Sequence, residues 1–264
     1  MDGSLYKGAK AQQSYQIVAG NDLKFRAWNR PFILTSELYF KYFTHVVPYD
    51  VDNVRIRYYA DQSARAYATG IDFKVNGEFV KGIDSWASLS IMDTREDIRG
   101  DYYLVDAEGN RLPFYNHSDE QVADTVALGW HYRPSNQLIN FSLFFQDYIP
   151  SAPTWRVNMT LTFGTGLPIN NNNSDFYSTN TNYKAYRRVD IGFSKQLISE
   201  AHSFSKRNPL HYVSNMYVSV DVFNLLNISN IISYNWVKYI DNNYYGAPNY
   251  LTPRYVNVKL VMEF

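Results

Sequence analysis

The chain has 264 residues with 25 basic side chains, 25 acidic ones and no cysteine, so it has no net field for nucleic acid, no disulfides and no thiolate metal sites. Its 24 Tyr, 16 Phe and 5 Trp favour strands and wet-to-apolar boundaries over a helical core. No stretch approaches the roughly 20 apolar residues of a spanning helix, and Met1 to Gly8 has no apolar segment after a basic region, so no secretory signal is expected there.

In chain order, period-two alternation predicts strands near 11–19, 31–45, 64–76, 83–97, 136–147, 154–164, 184–197, 212–224 and 254–264. In the third, Tyr67, Thr69, Ile71, Phe73 and Val75 share one face, and Ala68, Gly70, Asp72, Lys74 and Asn76 the other. Ile139, Phe141, Leu143 and Phe145 are likewise set against Asn140, Ser142, Phe144 and Gln146. Trp155, Val157, Met159, Leu161 and Phe163 alternate with Arg156, Asn158, Thr160, Thr162 and Gly164. Val189, Ile191 and Phe193 alternate with Arg188, Asp190, Gly192 and Ser194; Met216, Val218, Val220 and Val222 with Tyr217, Ser219, Asp221 and Phe223. The last run sets Arg254, Val256, Val258, Leu260, Met262 and Phe264 against Tyr255, Asn257, Lys259, Val261 and Glu263.

Connections alternate in length. Residues 76–82 and 148–153 are short, whereas 98–135, 165–183 and 240–253 are long and polar. Short turns on one side and long loops on the other, joining strands of roughly ten residues, is the pattern of a transmembrane barrel. An antiparallel transmembrane β-barrel segment is therefore expected. Its lipid face carries the Trp155–Phe163 and Val256–Phe264 stripes, and its lumen face Arg156, Asn158, Arg188, Asp190, Asn257 and Lys259.

Catalytic constellations are not found, and the chain is not expected to be an enzyme. His45, His117, His131, His202 and His211 include no pair at metal-ligand spacing. Gly164-Thr-Gly166 is a lone Gly-x-Gly, and the Ser-x-x-Lys runs Ser4 to Lys7 and Ser203 to Lys206 lack their companion motifs. Asp93, Glu96, Asp97, Asp101, Asp106 and Glu108 make an oxygen-rich segment, as do Asp50 and Asp52 beside Asn53, that fits no EF-hand loop; they are read as solvated loop, with a loop calcium site or substrate contact the alternative. Glycosylation triplets at Asn116, Asn140, Asn158, Asn172 and Asn227 are read as chance, and Tyr177, Tyr244, Tyr245 and Tyr250 as loop-packing aromatics. No cofactor, metal or ligand-binding residue is assigned.

Several runs resemble TonB-dependent outer-membrane receptors of the Bacteroidetes type. They are Ser36-Glu-Leu-Tyr-Phe-Lys41, Val47-Pro-Tyr-Asp-Val-Asp-Asn-Val-Arg-Ile-Arg57, Ala68-Thr-Gly-Ile-Asp-Phe73, Asn76-Gly-Glu-Phe-Val80 and Ser85-Trp-Ala-Ser-Leu-Ser90. Phe144-Phe-Gln-Asp-Tyr148, Phe163-Gly-Thr-Gly-Leu-Pro168, Arg187-Arg-Val-Asp-Ile-Gly-Phe-Ser194, Asp221-Val-Phe-Asn-Leu-Leu-Asn227 and Ala247-Pro-Asn-Tyr-Leu-Thr-Pro-Arg254 continue the series. The resemblance implies that residues 1–264 are the C-terminal barrel part of such a receptor, without its plug domain or signal peptide. It implies energy-coupled nutrient uptake at the cell outer membrane. The implied partners are outer-membrane lipid, the receptor's own N-terminal barrel and plug, an inner-membrane TonB complex acting through that plug, and a surface lipoprotein.

Two rival readings stay open: a soluble β-sandwich or lectin-like binding module using exposed Tyr, and a small outer-membrane barrel enzyme with a Ser/His or Asp/His set at its rim. About nine strands is an odd count where single-chain bacterial barrels are even. An open, curved sheet is therefore expected, with 254–264 unpaired on its outer edge.

Overall fold

The computed structural model describes residues 10–80, 83–112, 122–149, 151–169, 181–199, 204–205, 207–240 and 244–264. β1 (Gln13–Ala27) turns through Trp28 and Asn29 into β2 (Arg30–Val46). Both turn residues have positive φ, 51° and 61°, as in two-residue turns whose twist matches their strands. A small hairpin follows, β3 (Tyr49–Asp52) and β4 (Arg55–Tyr58), then the long pair β5 (Ala64–Val80) and β6 (Ile83–Ile98). The next connection holds β7 (Tyr102–Val105), β8 (Asp124–Ala127) and β9 (His131–Tyr132). β10 (Ile139–Ile149) and β11 (Ala152–Gly164) form another close pair. β12 (Pro168–Ile169) and β13 (Thr181–Asn182) lead to β14 (Tyr186–Ile198), and a 3-10 turn at Pro209–Tyr212 precedes β15 (Asn215–Phe223). A last hairpin, β16 (Ile231–Lys238) with β17 (Tyr244–Tyr250), leads to β18 (Tyr255–Glu263).

The nine long strands form one antiparallel meander, β1-β2-β5-β6-β10-β11-β14-β15-β18, with the short β9 added beside β6. All nine predicted strands are present. The first is longer than 11–19, because the alternation of Leu23 and Phe25 with Lys24 and Arg26 continues to the Trp28 turn. Among the described residues the sheet does not close on itself: β1 pairs only with β2 and β18 only with β15. Among the described residues no helix is long and apolar enough to cross a membrane.

One end of the sheet carries two-residue connections after β1, β5 and β10, and the opposite end carries residues 47–63, 99–138, 165–185 and 224–254. The exception to the short-turn side is residues 199–214, between β14 and β15. Two corrections to the sequence reading arise at the loop end. Residues 47–63 are a fourth long loop, and the segment taken as loop 240–253 is the second half of a larger connection containing β16 and β17.

Directly opposed residues in a ladder share a face, and the register aligns one apolar stripe across all nine strands. Ile17 opposes Phe40, Leu38 opposes Ile71, and Ile71 opposes Ile91. Phe141 opposes Leu89 and Phe163, Leu161 opposes Val189, and Ile191 opposes Val222, which opposes Val256. The reverse face aligns Thr35 with Asp22 and Lys74, Asn158 with Gln146 and Gly192, and Asp221 with Gly192 and Asn257.

Among the described residues no second layer covers the apolar face. Ile17 is 75% exposed, Leu38 59%, Val258 66% and Leu260 54%. Trp155 is exposed and Val157, Met159, Leu161 and Phe163 are only half-buried, so this stripe does not interlock in a dry core. The buried cluster lies instead at the loop end, where Val46, Ala64, Ala66 and Ile98 pack with Phe43 and Leu128. Gly77 is where Phe32 needs room: a Cβ there would collide with its ring.

Candidate functional site

The polar face is a trough floored by strands and overhung by loops. At its turn end Gln146, Arg156, Asn158, Gln196, Tyr217 and Glu263 line a cavity of about 550 Å³. A second, of about 420 Å³, lies between Glu37, Asp72, Lys74 and Ser88. The lumen residues expected from sequence are all on this face: Arg156 and Asn158 border the larger cavity, while Asn257 opposes Asp221 and Lys259 opposes Ser219. Arg188 Nε donates to Asp190 Oδ1 and Oδ2 at 2.8 and 3.0 Å, and Asp190 Oδ1 also accepts the Asn224 N–H at 2.8 Å. This pair therefore ties the floor to the 224–254 loop.

The loops lean over this face and hold one another. Glu96, fully buried, accepts Arg133 Nε at 3.1 Å, and the Thr94 N–H donates to Asn136 Oδ1 at 2.8 Å, drawing 99–138 over the floor. Loops 47–63 and 224–254 meet through side chains. Asn53 Oδ1 accepts Ser233 Oγ at 2.7 Å and Asn249 Nδ2 at 2.8 Å, and Asn249 Nδ2 also reaches Ser233 Oγ at 2.9 Å. Five strand spacings separate β5 from β15, about 24 Å in a flat sheet, so these hairpins reach toward each other across the trough. On the other face of β16, Tyr234 stacks with Tyr183 of the 165–185 loop at 5.5 Å and packs at a tilt against Trp236 at 5.7 Å. Gly246 opposes Trp236, and a Cβ there would meet its ring at 2.9 Å. Arg133 stands over the Tyr49 ring at 5.9 Å, and Gln137 Nε2 donates to the Thr165 carbonyl at 3.1 Å, so the four loops form a connected roof.

Aromatic side chains mark both margins of the apolar face. At the turn end Phe32 packs on Phe25, Trp28 and Phe79 with centroids 5.5, 5.9 and 5.1 Å away, and Lys195 lies 5.0 Å from the Trp155 ring centre. At the loop end Tyr67 packs on Phe40 and Trp130 at 6.4 and 5.1 Å and donates to Asp93 at 3.0 Å. Phe32 and Tyr42, both on the apolar face of β2, are ten residue steps apart. That is about 33 Å along the strand and roughly 25 Å in height at a tilt of about 40°. The height matches the apolar band of an outer-membrane barrel.

The acidic segment does not assemble into a metal site. Asp93 binds Tyr67 and Arg95, Asp97 binds Arg65, and Glu96 binds Arg133. Asp106 caps its own turn, accepting the N–H groups of Glu108 and Asn110, which hold its carboxyl below the usual range, the Asn110 N–H most strongly. Asp101 is pushed up to about 6, by burial first and then by Asp97. Asp50 Oδ2 accepts Arg57 and Tyr59, both at 2.9 Å. Among the described residues no group of three potential metal ligands occurs. His131 sits by Glu96 with Nε2 4.0 Å from Oε1, and burial lowers its basicity; His211 binds the Phe204 carbonyl, and His45 sits with φ 55°. His117, His202, Tyr177, Asn116, Asn172 and both Ser-x-x-Lys serines with their lysines lie outside the described residues.

The Asn53, Ser233 and Asn249 contact was not found from sequence. Its only local signal was the alternation of Ile232, Tyr234 and Trp236 with Ser233, Asn235 and Val237, which announces β16 but not its partner loop. A scan against protein-family models finds no match, and no curated protein matches the chain.

Proposed function

We propose that this chain supplies barrel strands and outer loops of a TonB-dependent outer-membrane receptor that takes up a nutrient ligand. The observation that carries the reading is the two-faced sheet: a continuous, uncovered apolar face between two aromatic margins, backed by a polar trough under a loop roof. In water such a face is unfavourable, because each large aliphatic side chain left exposed forgoes roughly 1.5–3 kcal/mol of burial. Lipid removes that penalty. The polar groups of the trough then face water or solute, as they must in a barrel lumen.

The roles follow from position. Loops 47–63, 99–138, 165–185 and 224–254 meet the ligand first, and Arg156, Asn158, Arg188 and Asp190 lie along its path. No side chain makes or breaks a bond. The energy-coupled step belongs to the inner-membrane TonB complex acting through a plug, as the family resemblance implies.

Acyl-brominated lipid tests this reading in variants of the full chain that keep one of the 5 Trp. Trp155 on the apolar face is expected to be quenched and Trp86 on the polar face is not. Equal quenching, or a full chain that stays monomeric and folded without detergent or lipid, favours the soluble binding module instead.

A further inference from the structure

The floor of the trough is not uniform. Residues 86–92 of β6, 139–146 of β10 and 157–164 of β11 contain no ionisable side chain, and these three strands are neighbours in the middle of the sheet. The register sets Ser88, Ser142 and Thr162 in one row of the polar face, Trp86, Phe144 and Thr160 in the next row toward the turn end, and Gln146 beside Asn158 beyond it. Charge begins at the two borders, where Lys74 opposes Ser88, Arg188 opposes Thr162 and Asp190 opposes Thr160. We propose that this uncharged lane is a track for a neutral, hydroxyl-rich ligand of the oligosaccharide class, with the Trp86 and Phe144 rings as its stacking step. The proposal rests on the receptor reading above and names the class of solute that the trough takes.

Ser88, Ser142, Thr160, Thr162, Gln146 and Asn158 are half-exposed, and among the described residues none of their side chains is hydrogen-bonded to the protein. Hydroxyls and amides of this kind both donate and accept, as a ligand edged with hydroxyls requires. The bordering charges are already engaged, Arg188 with Asp190, Asp72 with the Ser90 hydroxyl, and Lys74 at 5.8 Å from the Trp86 ring centre. Trp86 and Phe144 oppose each other across β6 and β10 and stack with centroids 6.4 Å apart at 28°. Aromatic faces on a hydroxyl floor suit a solute with apolar C–H faces and polar edges, which is what sugar rings present. An ionised ligand would shed water over a floor that offers no counter-charge, a cost that neutral hydroxyls do not incur. The lane also joins the two cavities: Phe144, Gln146 and Asn158 border the larger, Ser88 and Ser90 the smaller. Three strands cover about 10 Å and six residue steps about 20 Å, which gives the lane the elongated shape of a chain of rings.

The full chain keeping Trp86 as its single tryptophan is assembled in phosphatidylcholine bilayers and titrated with maltoheptaose, cellopentaose and mannopentaose. Sulfated maltoheptaose and a glucosamine hexamer serve as the anionic and cationic counterparts. A saturable change of Trp86 emission is expected with at least one neutral probe in the millimolar range, with both charged probes weaker by roughly tenfold or more. Phe144→Ala is expected to weaken the neutral probe about two- to tenfold, and Ser142→Arg to make sulfated maltoheptaose the tighter ligand. Comparing neutral with charged probes needs no change to the lane, so it holds even where a variant fails to assemble. Silence toward every neutral probe, charged probes that bind as tightly, or neutral binding unmoved by Phe144→Ala overturns the inference. A parallel chain keeping only Trp155, in acyl-brominated lipid, separates the two readings. With Trp155 quenched, those results remove the inference and leave the receptor standing; with Trp155 unquenched, the receptor reading falls and the inference with it.

Discussion

An arginine scan along β11 gives a quantitative test of which face meets lipid. Trp155, Val157, Met159, Leu161 and Phe163 lie on one face of this strand, where Met159 opposes Phe145 and Ile191 and Leu161 opposes Leu143 and Val189. From Trp155 to Met159 is about 13 Å along the strand and roughly 10 Å in depth at a tilt of about 40°. Trp155 therefore stands at a margin while Met159 and Leu161 lie near the middle of the band. Arginine on a lipid face costs about 2–4 kcal/mol at the midplane and about 0–1 near the interfaces. The expected profile thus rises from Trp155→Arg to a maximum at Met159→Arg or Leu161→Arg and falls again toward Phe163→Arg. A midplane loss of about 3 kcal/mol lowers the folded-to-unfolded ratio roughly 100-fold. Asn158→Arg and Thr160→Arg, on the trough face, are expected to cost less than about 1 kcal/mol, as lumen substitutions do. Denaturant titration of the assembled protein in bilayers reads all seven variants. A flat profile, or equal losses on the two faces, refutes the assignment of faces.

Three further outcomes are expected. Ser233→Ala removes a hydroxyl that is buried between Asn53 and Asn249; local opening of loops 47–63 and 224–254 becomes easier by about 1–3 kcal/mol, seen as faster hydrogen exchange there with the floor strands unchanged. Gly77→Ala drives a Cβ into the Phe32 ring and breaks its packing on Phe25 and Phe79, costing about 1–3 kcal/mol in unfolding titrations; Gly20→Ala, whose Cβ meets the flexible Glu37 side chain at 3.3 Å and the Ser36 carbonyl at an ordinary 3.5 Å, costs less. In loop 99–138 two groups give opposite pH slopes. Asp101, raised to about 6, stabilises its surroundings fully below about 4 and loses this as pH rises through about 6, whereas His131, whose pKa is lowered by burial, contributes above its ordinary range and loses this as pH falls. Intrinsic-rate-corrected hydrogen exchange near residue 101 should therefore show protection falling between pH 4 and 6 in H131Q and no such fall in D101N/H131Q.

The sequence by itself determined the strands and their faces. In β11, β15 and β18 every second side chain is apolar, as are Val189, Ile191 and Phe193 within β14, and the intervening ones are predominantly polar, so period two makes a face assignment as soon as a strand is recognised. The contrast between close turns and long loops was also legible, but the short connection read at 76–82 proved shorter still, because Asn76 and Gly77 stay in the β5 ladder opposite Trp86 and Ser85. Tertiary structure decided what local pattern cannot encode. The 224–254 connection became a hairpin because Ser233 and Asn249 find Asn53, some 180 and 196 residues away in the chain, and that meeting depends on how the whole sheet curves. The six acids of 93–108 look alike in sequence; their fates separated because β6 sends Asp93, Asp97 and Glu96 to different partners on different faces, Tyr67 and Arg95, Arg65, and Arg133. The open edges belong to the same class of fact. Alternation states that a strand has two faces but not which neighbour its backbone will bind, so only the assembled ladder shows that β1 and β18 run the same way and leave each other unpaired.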